Sequence, residues 1–218
     1  MAAEASALPY GSLAEQAYHV LRDRLVMLDI APGAPINEGR LAGELGIGRT
    51  PIRESLKKLE LDHLVVSYPR RGTFATQVDI TDLAEISEMR QVLEPLAARR
   101  AALLARVDLR AELAAKAEQI ASMGSEPDDR RLMEYDIDVH RLIYRAAENP
   151  HLEETLVRLD NLATRIWCLV LERLPSVSEH IKEHVALLEA IVAKDADRAA
   201  ELAGEHVTHF EAAIRAVL

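Results

Sequence analysis

The amino-acid sequence predicts a mainly α-helical protein with two domains. Apolar residues make up 49% of the 218 residues, but aromatic residues only 4%, a balance typical of helical packing rather than of sheets. Apolar positions recur at helical spacing along most of the chain, with one short β-prone interval at 64–78. The length suits two domains of unequal size, each with its own core.

Three helices are predicted in the first 62 residues. Ser12 is a suitable N-cap for the first helix, which we expect to end before the Pro-Gly turn at 32–33. A second helix is expected at about 38–45. The third is expected to begin with Thr50 as its N-cap and Pro51 at the first helical position. Two short helices joined by a tight glycine-containing turn are the helix-turn-helix pattern.

The spacing of the apolar residues changes after the third helix. Two β-prone runs, 64–68 and 73–78, flank a turn at 69–72 that contains Pro and Gly. We therefore expect a β-hairpin, which would form a wing beside the helix-turn-helix.

From Asp79 onward the sequence predicts only helices. Turns are indicated at Gly124-Ser125-Glu126-Pro127, Asn149-Pro150, Leu174-Pro175-Ser176 and Lys194-Asp195. Six antiparallel helices would form a bundle that can enclose a cavity. Their expected bounds are about 81–106, 108–122, 128–148, 151–173, 177–193 and 196–217.

Charge divides the chain near the same boundary. Residues 1–78 hold nine basic and nine acidic side chains, whereas residues 79–218 hold 17 and 27, so the net charge of −10 belongs to the second part. A locally basic face for nucleic acid is therefore compatible with the first part. We expect a flexible N-terminus at 1–11, a winged helix-turn-helix domain at 12–78 and a helical domain at 79–218.

The single cysteine, Cys168, excludes an internal disulfide and a thiolate zinc cluster. The sequence shows no secretory leader and no run of about 18 apolar residues. We expect a cytoplasmic protein that does not associate with membranes.

The third helix has the pattern of a DNA recognition helix. Such a helix packs one face on its domain and presents polar donors on another, where arginine can contact guanine O6 and N7 and lysine more often meets phosphate. A solvated helix face is the alternative interpretation. The apolar face would consist of Ile52, Leu56 and Leu59. The candidate DNA-contacting side chains are Arg49, Thr50, Arg53 and Lys57.

Residues 12–77 resemble the DNA-binding domain of the GntR family of bacterial regulators. The resemblance implies that Arg49 and Arg53 read bases and that Gly72 lies at the tip of a wing that enters the minor groove, where Arg71 is a further candidate DNA contact. Gly48 departs from the family pattern, in which Ser or Thr caps the recognition helix. The matching residues are Pro32-Gly33, Glu38, Leu41-Ala42, Leu45-Gly46, Arg49-Thr50-Pro51-Ile52-Arg53-Glu54, Leu56, Leu59 and Arg71-Gly72-Thr73-Phe74.

Candidate metal ligands lie in the second part. Asp136 and His140 are four residues apart, so both side chains share one helix face and can hold a single ion, although a surface hydrogen bond is the alternative. A first-row divalent ion favours three nitrogens and one oxygen. Four of the eight histidines lie in the last two predicted helices: His180, His184, His206 and His209.

Residues 80–217 resemble the FCD ligand-binding domain of the FadR-like branch of the same family, and six helices resemble its VanR-like subgroup. In metal-binding members, the residues that match Asp136, His140, His184 and His206 hold zinc, nickel or manganese. His180 and His209 lie one helical turn from these ligands, so a shift in register is the alternative assignment. The matching motifs are Arg90-x-x-Leu93-Glu94, Asp136-x-x-x-His140, Ala146-x-x-Asn149, Glu183-His184-x-x-Leu187-Leu188-x-Ala190-Ile191, Asp195-x-x-x-Ala199 and His206.

The resemblance also implies an effector site. Arg90 matches a position that contacts the carboxylate of an acidic effector in relatives, and a surface salt bridge with Glu94 or Glu85 is the alternative.

We therefore expect a transcription regulator rather than an enzyme: a homodimer on double-stranded operator DNA, modulated by a small organic acid at the metal ion. Two alternatives remain. One is a metal-dependent hydrolase that uses the four predicted ligands, and the other is a regulator whose metal is purely structural.

Overall fold

The computed structural model describes residues 11–123, 128–174 and 177–218. It divides into two compact units, with the division between Val78 and Asp79. The flexible N-terminus expected at 1–11 falls almost wholly outside the described residues. The same holds for the turn at 124–127 and for two residues of the turn at 174–176.

Short elements build the first unit. Ser12 caps the first helix as predicted, because its hydroxyl accepts a hydrogen bond from the backbone N–H of Glu15 at 3.2 Å. The second helix ends at Gly46, which adopts the left-handed conformation with φ 64°. The elements are α1 (Leu13–Val26), β1 (Pro35–Ile36), α2 (Glu38–Leu45), α3 (Arg49–Leu61), β2 (Val65–Tyr68) and β3 (Gly72–Ala75).

The predicted start of α3 was wrong by two residues. Gly48, not Thr50, is the N-cap, and no side chain caps the helix. The extended backbone of Gly48 (φ −63°, ψ 160°) lets the helix begin at Arg49, and the Gly48 carbonyl accepts a hydrogen bond from Ile52 N at 3.3 Å. Pro51 lies within the first turn, where its missing N–H leaves no intrahelical bond unmade.

The predicted hairpin is confirmed, and it belongs to a three-stranded antiparallel sheet. The strand order is β1-β3-β2, with Tyr68 opposite Gly72 and Pro35 opposite Phe74. The two-residue β1 is too short to show an alternating pattern in the sequence. Helix α1 packs on α3. The largest fully buried side chains of the core are Leu21, Leu25, Ile52, Leu59 and Leu64.

All six helices expected in the second unit are present. Their bounds are within three residues of the predicted ones, and the last turn of the fourth is a 3₁₀ helix, Leu171–Arg173. Another 3₁₀ turn, Ile80–Asp82, precedes the bundle. The helices are α4 (Leu83–Leu104), α5 (Val107–Ala121), α6 (Asp129–Ala146), α7 (Pro150–Val170), α8 (Val177–Val192) and α9 (Ala196–Arg215).

Helices α4, α6 and α8 each pack against four other helices of the bundle. Helix α4 packs against α6, α7, α8 and α9, while α5 packs against α6 and α8. The bundle interior is mostly apolar, but α4, α6, α7, α8 and α9 also contribute buried polar side chains, most of them ionisable. Among the described residues, none of the helices has both the length and the hydropathy needed to cross a membrane.

Candidate DNA interface and metal centre

Helix α3 separates its side chains as a recognition helix requires. Ile52, Leu56 and Leu59 are buried, as predicted. The four predicted DNA-contacting side chains are exposed on the rest of the helix surface: Arg49, Thr50, Arg53 and Lys57.

The start of α2 positions both arginines. Nε of Arg53 lies 2.6 Å from a carboxylate oxygen of Glu38, so a contact of this arginine with DNA would replace an ion pair within the domain. The guanidinium of Arg49 lies beside Gly39, where an added Cβ would be 3.4 Å from its terminal nitrogen. Because α3 also begins without a side-chain cap, its first N–H groups add positive potential at the same end.

The wing presents two further cations. Arg70 and Arg71 are exposed in the turn between β2 and β3. Gly72 has φ 96°, and an added Cβ would meet no atom within 4 Å. Glycine therefore suits this position because of its positive φ, and not because another atom lies close to its Cα.

The four predicted metal ligands meet inside the bundle. Asp136 and His140 lie on α6, His184 on α8 and His206 on α9, and each is at most 3% exposed. One ligand atom from each residue lies within 4.8 Å of every other.

The distances within this cluster suit a metal ion. Nε2 of His140 lies 3.4 Å from Nε2 of His184 and 3.3 Å from Nε2 of His206. Oδ1 of Asp136 lies 3.7 Å from Nε2 of His184 and 3.8 Å from Nε2 of His140. Two nitrogens bound tetrahedrally to one zinc ion at about 2.0–2.1 Å are about 3.3 Å apart.

The outer nitrogen of each imidazole faces an acceptor. Nδ1 of His206 lies 3.0 Å from a carboxylate oxygen of Glu183, and Nδ1 of His184 lies 3.2 Å from the Ile181 carbonyl. Nδ1 of His140 lies 3.1 Å from the Tyr144 hydroxyl and 3.4 Å from a carboxylate oxygen of Glu94. Protons held at Nδ1 leave the Nε2 lone pairs directed at the centre of the cluster.

Burial and neighbouring carboxylates set the protonation of the predicted ligands. Burial holds the pKa of His184 and His206 well below the usual range, which keeps them neutral. Burial also raises the pKa of Asp136 to about 6. Burial disfavours the charged form of His140 too, but the carboxylates of Glu94, Asp160 and Asp136 outweigh it and raise the pKa to about 9. The carboxylates thus favour a cation at this point.

A buried charge network surrounds the cluster. Arg90 is 1% exposed; its Nε lies 2.5 Å from Glu94 and a terminal nitrogen lies 3.5 Å from Asp160. The predicted alternative was a surface salt bridge of Arg90 with Glu94 or Glu85. Glu94 is indeed the partner, but the salt bridge is buried and does not lie on the surface. Since two carboxylates already neutralise this guanidinium, Arg90 contributes no free positive charge to the centre.

Neither His180 nor His209 belongs to the four-ligand cluster. The ring of His180 lies between Trp167 and His206, at centroid distances of 4.7 and 4.1 Å, and its Nε2 is 3.9 Å from Oδ1 of Asp136. His209 is exposed and contacts Glu183 at 2.8 Å. His180, Glu183 and His206 form a second, overlapping group of ligand atoms, but Glu183 is only half-buried.

Sequence analysis expected Glu94 only as a partner of Arg90, and it did not assign Tyr144 or Asp160 to the site. Glu94 and Tyr144 face the outer nitrogen of His140, and Asp160 faces Arg90. A charged residue at an apolar position of its helix was the available signal for Glu94 and Asp160, and it does not reveal the partner.

A winged helix-turn-helix with an exposed basic recognition helix, joined to a helical unit with a buried polar centre, is the architecture of a DNA-binding transcription regulator. Residues 13–75 match the family model described as bacterial regulatory proteins, gntR family, and residues 85–209 match that of the FCD domain. The chain belongs to the GntR family and carries an FCD domain.

Curated relatives extend this match over most of the chain. The HTH-type transcriptional repressor RspR of Escherichia coli is 24% identical over 219 aligned positions that cover 100% of this chain and 95% of RspR. A second relative is a probable D-xylose utilization operon transcriptional repressor of Paenarthrobacter nicotinovorans. It is 30% identical to this chain, and the alignment covers 88% of this chain and 84% of the relative.

Solved structures share the fold. E. coli McbR/YncC superposes with a TM-score of 0.81 at 24% identity, and the match covers 95% of this chain and 99% of that one. The crystal structure of a putative transcriptional regulator GntR from Rhodococcus sp. RHA1 superposes with a TM-score of 0.70 at 19% identity. That match covers 94% of this chain and 98% of the other.

The comparisons confirm the predicted family, the fold class and the function as a DNA-binding transcription regulator. The relatives are transcription regulators rather than enzymes, in agreement with the prediction. The VanR-like subgroup stays a prediction.

Proposed function

We propose that operator binding by this regulator responds to a small organic acid that binds at a divalent metal ion held by Asp136, His140, His184 and His206. One observation carries the metal site: every imidazole of the cluster faces an acceptor at Nδ1, so three Nε2 atoms and one carboxylate converge on a single buried point.

Charge supports the same proposal. The carboxylates of Asp136, Glu94 and Asp160 are buried around one guanidinium, Arg90, and uncompensated buried charge is costly. A divalent cation would offset this excess. Three nitrogens and one oxygen suit zinc, nickel or manganese.

The effector proposal follows from the chemistry of such an ion. A divalent ion supplies a Lewis-acidic centre, and a coordination position that the protein does not occupy can take a carboxylate. The FCD domain is associated with small-molecule effectors, which supports a sensory role. The role of Arg90 as an effector contact stays a prediction. Its guanidinium already contacts Glu94 and Asp160, so an effector carboxylate would have to compete with them.

For DNA, we propose that Arg49 and Arg53 contact base edges and that Thr50 and Lys57 contact phosphate. Arg71 and Gly72 would place the wing in the minor groove. The regulator would bind double-stranded operator DNA as a homodimer, since a two-fold protein matches a palindromic site. An effector changes operator affinity only if it binds the two conformational states of this dimer unequally.

Elemental analysis of purified variants tests the metal site. We expect about one divalent ion per chain in the parent, loss of stoichiometric metal in His184→Ala and His206→Ala, and retention in His180→Ala and His209→Ala. The two retained variants are matched controls, because they remove histidines one turn away from the ligands. Loss in the second pair with retention in the first would move the site by one helical turn.

Calorimetry tests the effector class. Small carboxylates should bind to the metal-loaded protein and bind more weakly after chelation. A sugar such as D-xylose or an amine that binds equally well to metal-free protein would contradict the proposal. If no compound binds but chelation lowers stability, the metal is structural and the sensory proposal is wrong.

A further inference from the structure

Helix α2 contains two glycines, Gly39 and Gly43, although glycine is a poor helix former. Neither has a positive φ, so the backbone conformation does not require glycine at either position. An added Cβ at Gly43 would meet no atom within 4 Å, whereas an added Cβ at Gly39 would lie 3.4 Å from Nη2 of Arg49 and 3.9 Å from its Cζ. Within α2, the missing side chain at Gly39 therefore leaves space that a side chain of α3 uses.

The two candidate base-reading arginines are held in different ways. Nε of Arg53 lies 2.6 Å from a carboxylate oxygen of Glu38. Arg49 has no ion pair with any residue that the structure describes, and its guanidinium lies beside Gly39. The charge of Arg49 is therefore available to DNA, while packing beside α2 limits where its N–H donors point.

Base reading by arginine depends on where the guanidinium is held. Arginine reads guanine through two hydrogen bonds, to O6 and N7, and both must form together for the contact to discriminate between bases. A long side chain that is already restricted also loses less conformational entropy when it binds. The space at position 39 therefore bears on the base that Arg49 selects.

We propose that Gly39 determines sequence specificity, because the absence of a side chain there lets Arg49 adopt the position from which it reads a guanine. Gly39 is a positioning residue, and this role requires no contact between Gly39 and DNA. The inference rests on the proposed base contact of Arg49 and names the residue that positions it.

Replacement of each glycine by leucine gives a matched pair of variants. Leucine has no side-chain hydrogen-bonding group, and it carries three further carbon atoms beyond the Cβ that would approach Arg49. Gly39→Leu should displace the guanidinium, whereas Gly43→Leu places the same side chain at an exposed position of the same helix. Both variants exchange glycine for a better helix former, and circular dichroism would verify that both are folded.

Base discrimination is the readout. Fluorescence anisotropy at fixed salt compares a duplex obtained by selection from random sequences with duplexes that carry single base-pair changes. The base pair that Arg49 reads is the one whose discrimination falls most in Arg49→Ala. At this base pair, Gly39→Leu should reduce the preference for guanine by about tenfold, and Gly43→Leu should change it by less than about twofold.

A double variant separates an effect through Arg49 from an effect of the leucine itself. In an Arg49→Ala background, Gly39→Leu should cause no further loss of discrimination at this base pair. An added Cβ at position 39 would also lie 3.4 Å from Oδ1 of Asn37, the N-cap of α2. A disturbed cap would lower the unfolding free energy whether or not Arg49 is present, so the double variant distinguishes it from displacement of the arginine.

The outcomes separate the two proposals. If Arg49→Ala left every base preference intact, the proposed base contact of Arg49 would be wrong, and the role of Gly39 with it. If Arg49→Ala lost a preference that Gly39→Leu retained, the inference about Gly39 alone would be overturned. The same conclusion would follow if leucine at position 39 reduced discrimination equally with and without Arg49.

Discussion

The recognition helix and the buried polar centre place functional residues in opposite environments. On α3, the candidate DNA contacts are exposed and lie within nine consecutive residues, 49–57, on one helix. In the bundle, the candidate ligands are buried and come from three helices, with partners from two more. Exposed contacts can therefore be removed without unfolding the protein, whereas each buried ligand contributes to binding and to the fold.

Removal of the ion should produce the largest difference between the two units. Chelation would leave the carboxylates of Asp136, Glu94 and Asp160 buried around Arg90. We expect the second unit to lose about 4 kcal/mol of unfolding free energy when free metal had exceeded the dissociation constant a thousandfold. Trp167, the single tryptophan, packs against His180 in this unit, so its fluorescence reports unfolding of the unit. An unchanged urea transition after chelation would contradict the ion's role.

Glu94→Gln should have the next largest effect, because it leaves Arg90 and His140 without their shared carboxylate partner. The expected cost is about 3–5 kcal/mol of unfolding free energy, the range for breaking a buried ion pair. Glu201→Gln is the control, since Glu201 pairs with Arg198 on the exposed surface of α9 and should change stability by less than about 1 kcal/mol. Equal effects in urea titrations would show that the network is not a buried charge cluster.

Arg53→Ala and Arg49→Ala should weaken specific operator binding by about 1–3 kcal/mol each and leave the unfolding free energy unchanged. Fluorescence anisotropy at fixed salt, with a duplex obtained by selection from random sequences, gives the affinity. Arg198→Ala, an exposed arginine of the second unit, is the control. Parental affinity in both α3 variants would remove the recognition-helix assignment.

The smallest effect concerns the wing. Gly72→Ala should cost about 1 kcal/mol of unfolding free energy in the first unit, since alanine is strained at φ 96°. Gly43→Ala provides a control of opposite sign: this glycine lies within α2, an added Cβ meets no atom within 4 Å, and alanine should stabilise the helix by about 0.5–1 kcal/mol. Unfolding followed by circular dichroism gives both free energies. If the two substitutions changed the unfolding free energy in the same direction, the account would be contradicted.

Sequence predicted elements better than it predicted contacts between them. Helix periods located all nine α-helices of the described residues, and the spacing of Asp136 and His140, with the resemblance to the FCD domain, selected four side chains that the structure brings together. The spacing of four residues predicted the pair of Arg90 with Glu94, but the contacts of Glu94 with His140 and of Asp160 with Arg90 could not be predicted, because their partners lie on other helices. The start of α3 was misassigned because Thr50 and Pro51 are a suitable N-cap and first helical residue, whereas the structure places them second and third in the helix.

X-ray absorption spectroscopy of the purified, metal-loaded regulator would test the central claim, a metal ion held by three imidazoles and one carboxylate. We predict a first coordination shell of nitrogen and oxygen at about 2.0–2.2 Å and outer-shell scattering from three imidazole rings in the parent. The same spectrum should appear in His180→Ala. A spectrum with fewer than three imidazoles in the parent, or loss of one ring in His180→Ala, would contradict the assignment of Asp136, His140, His184 and His206.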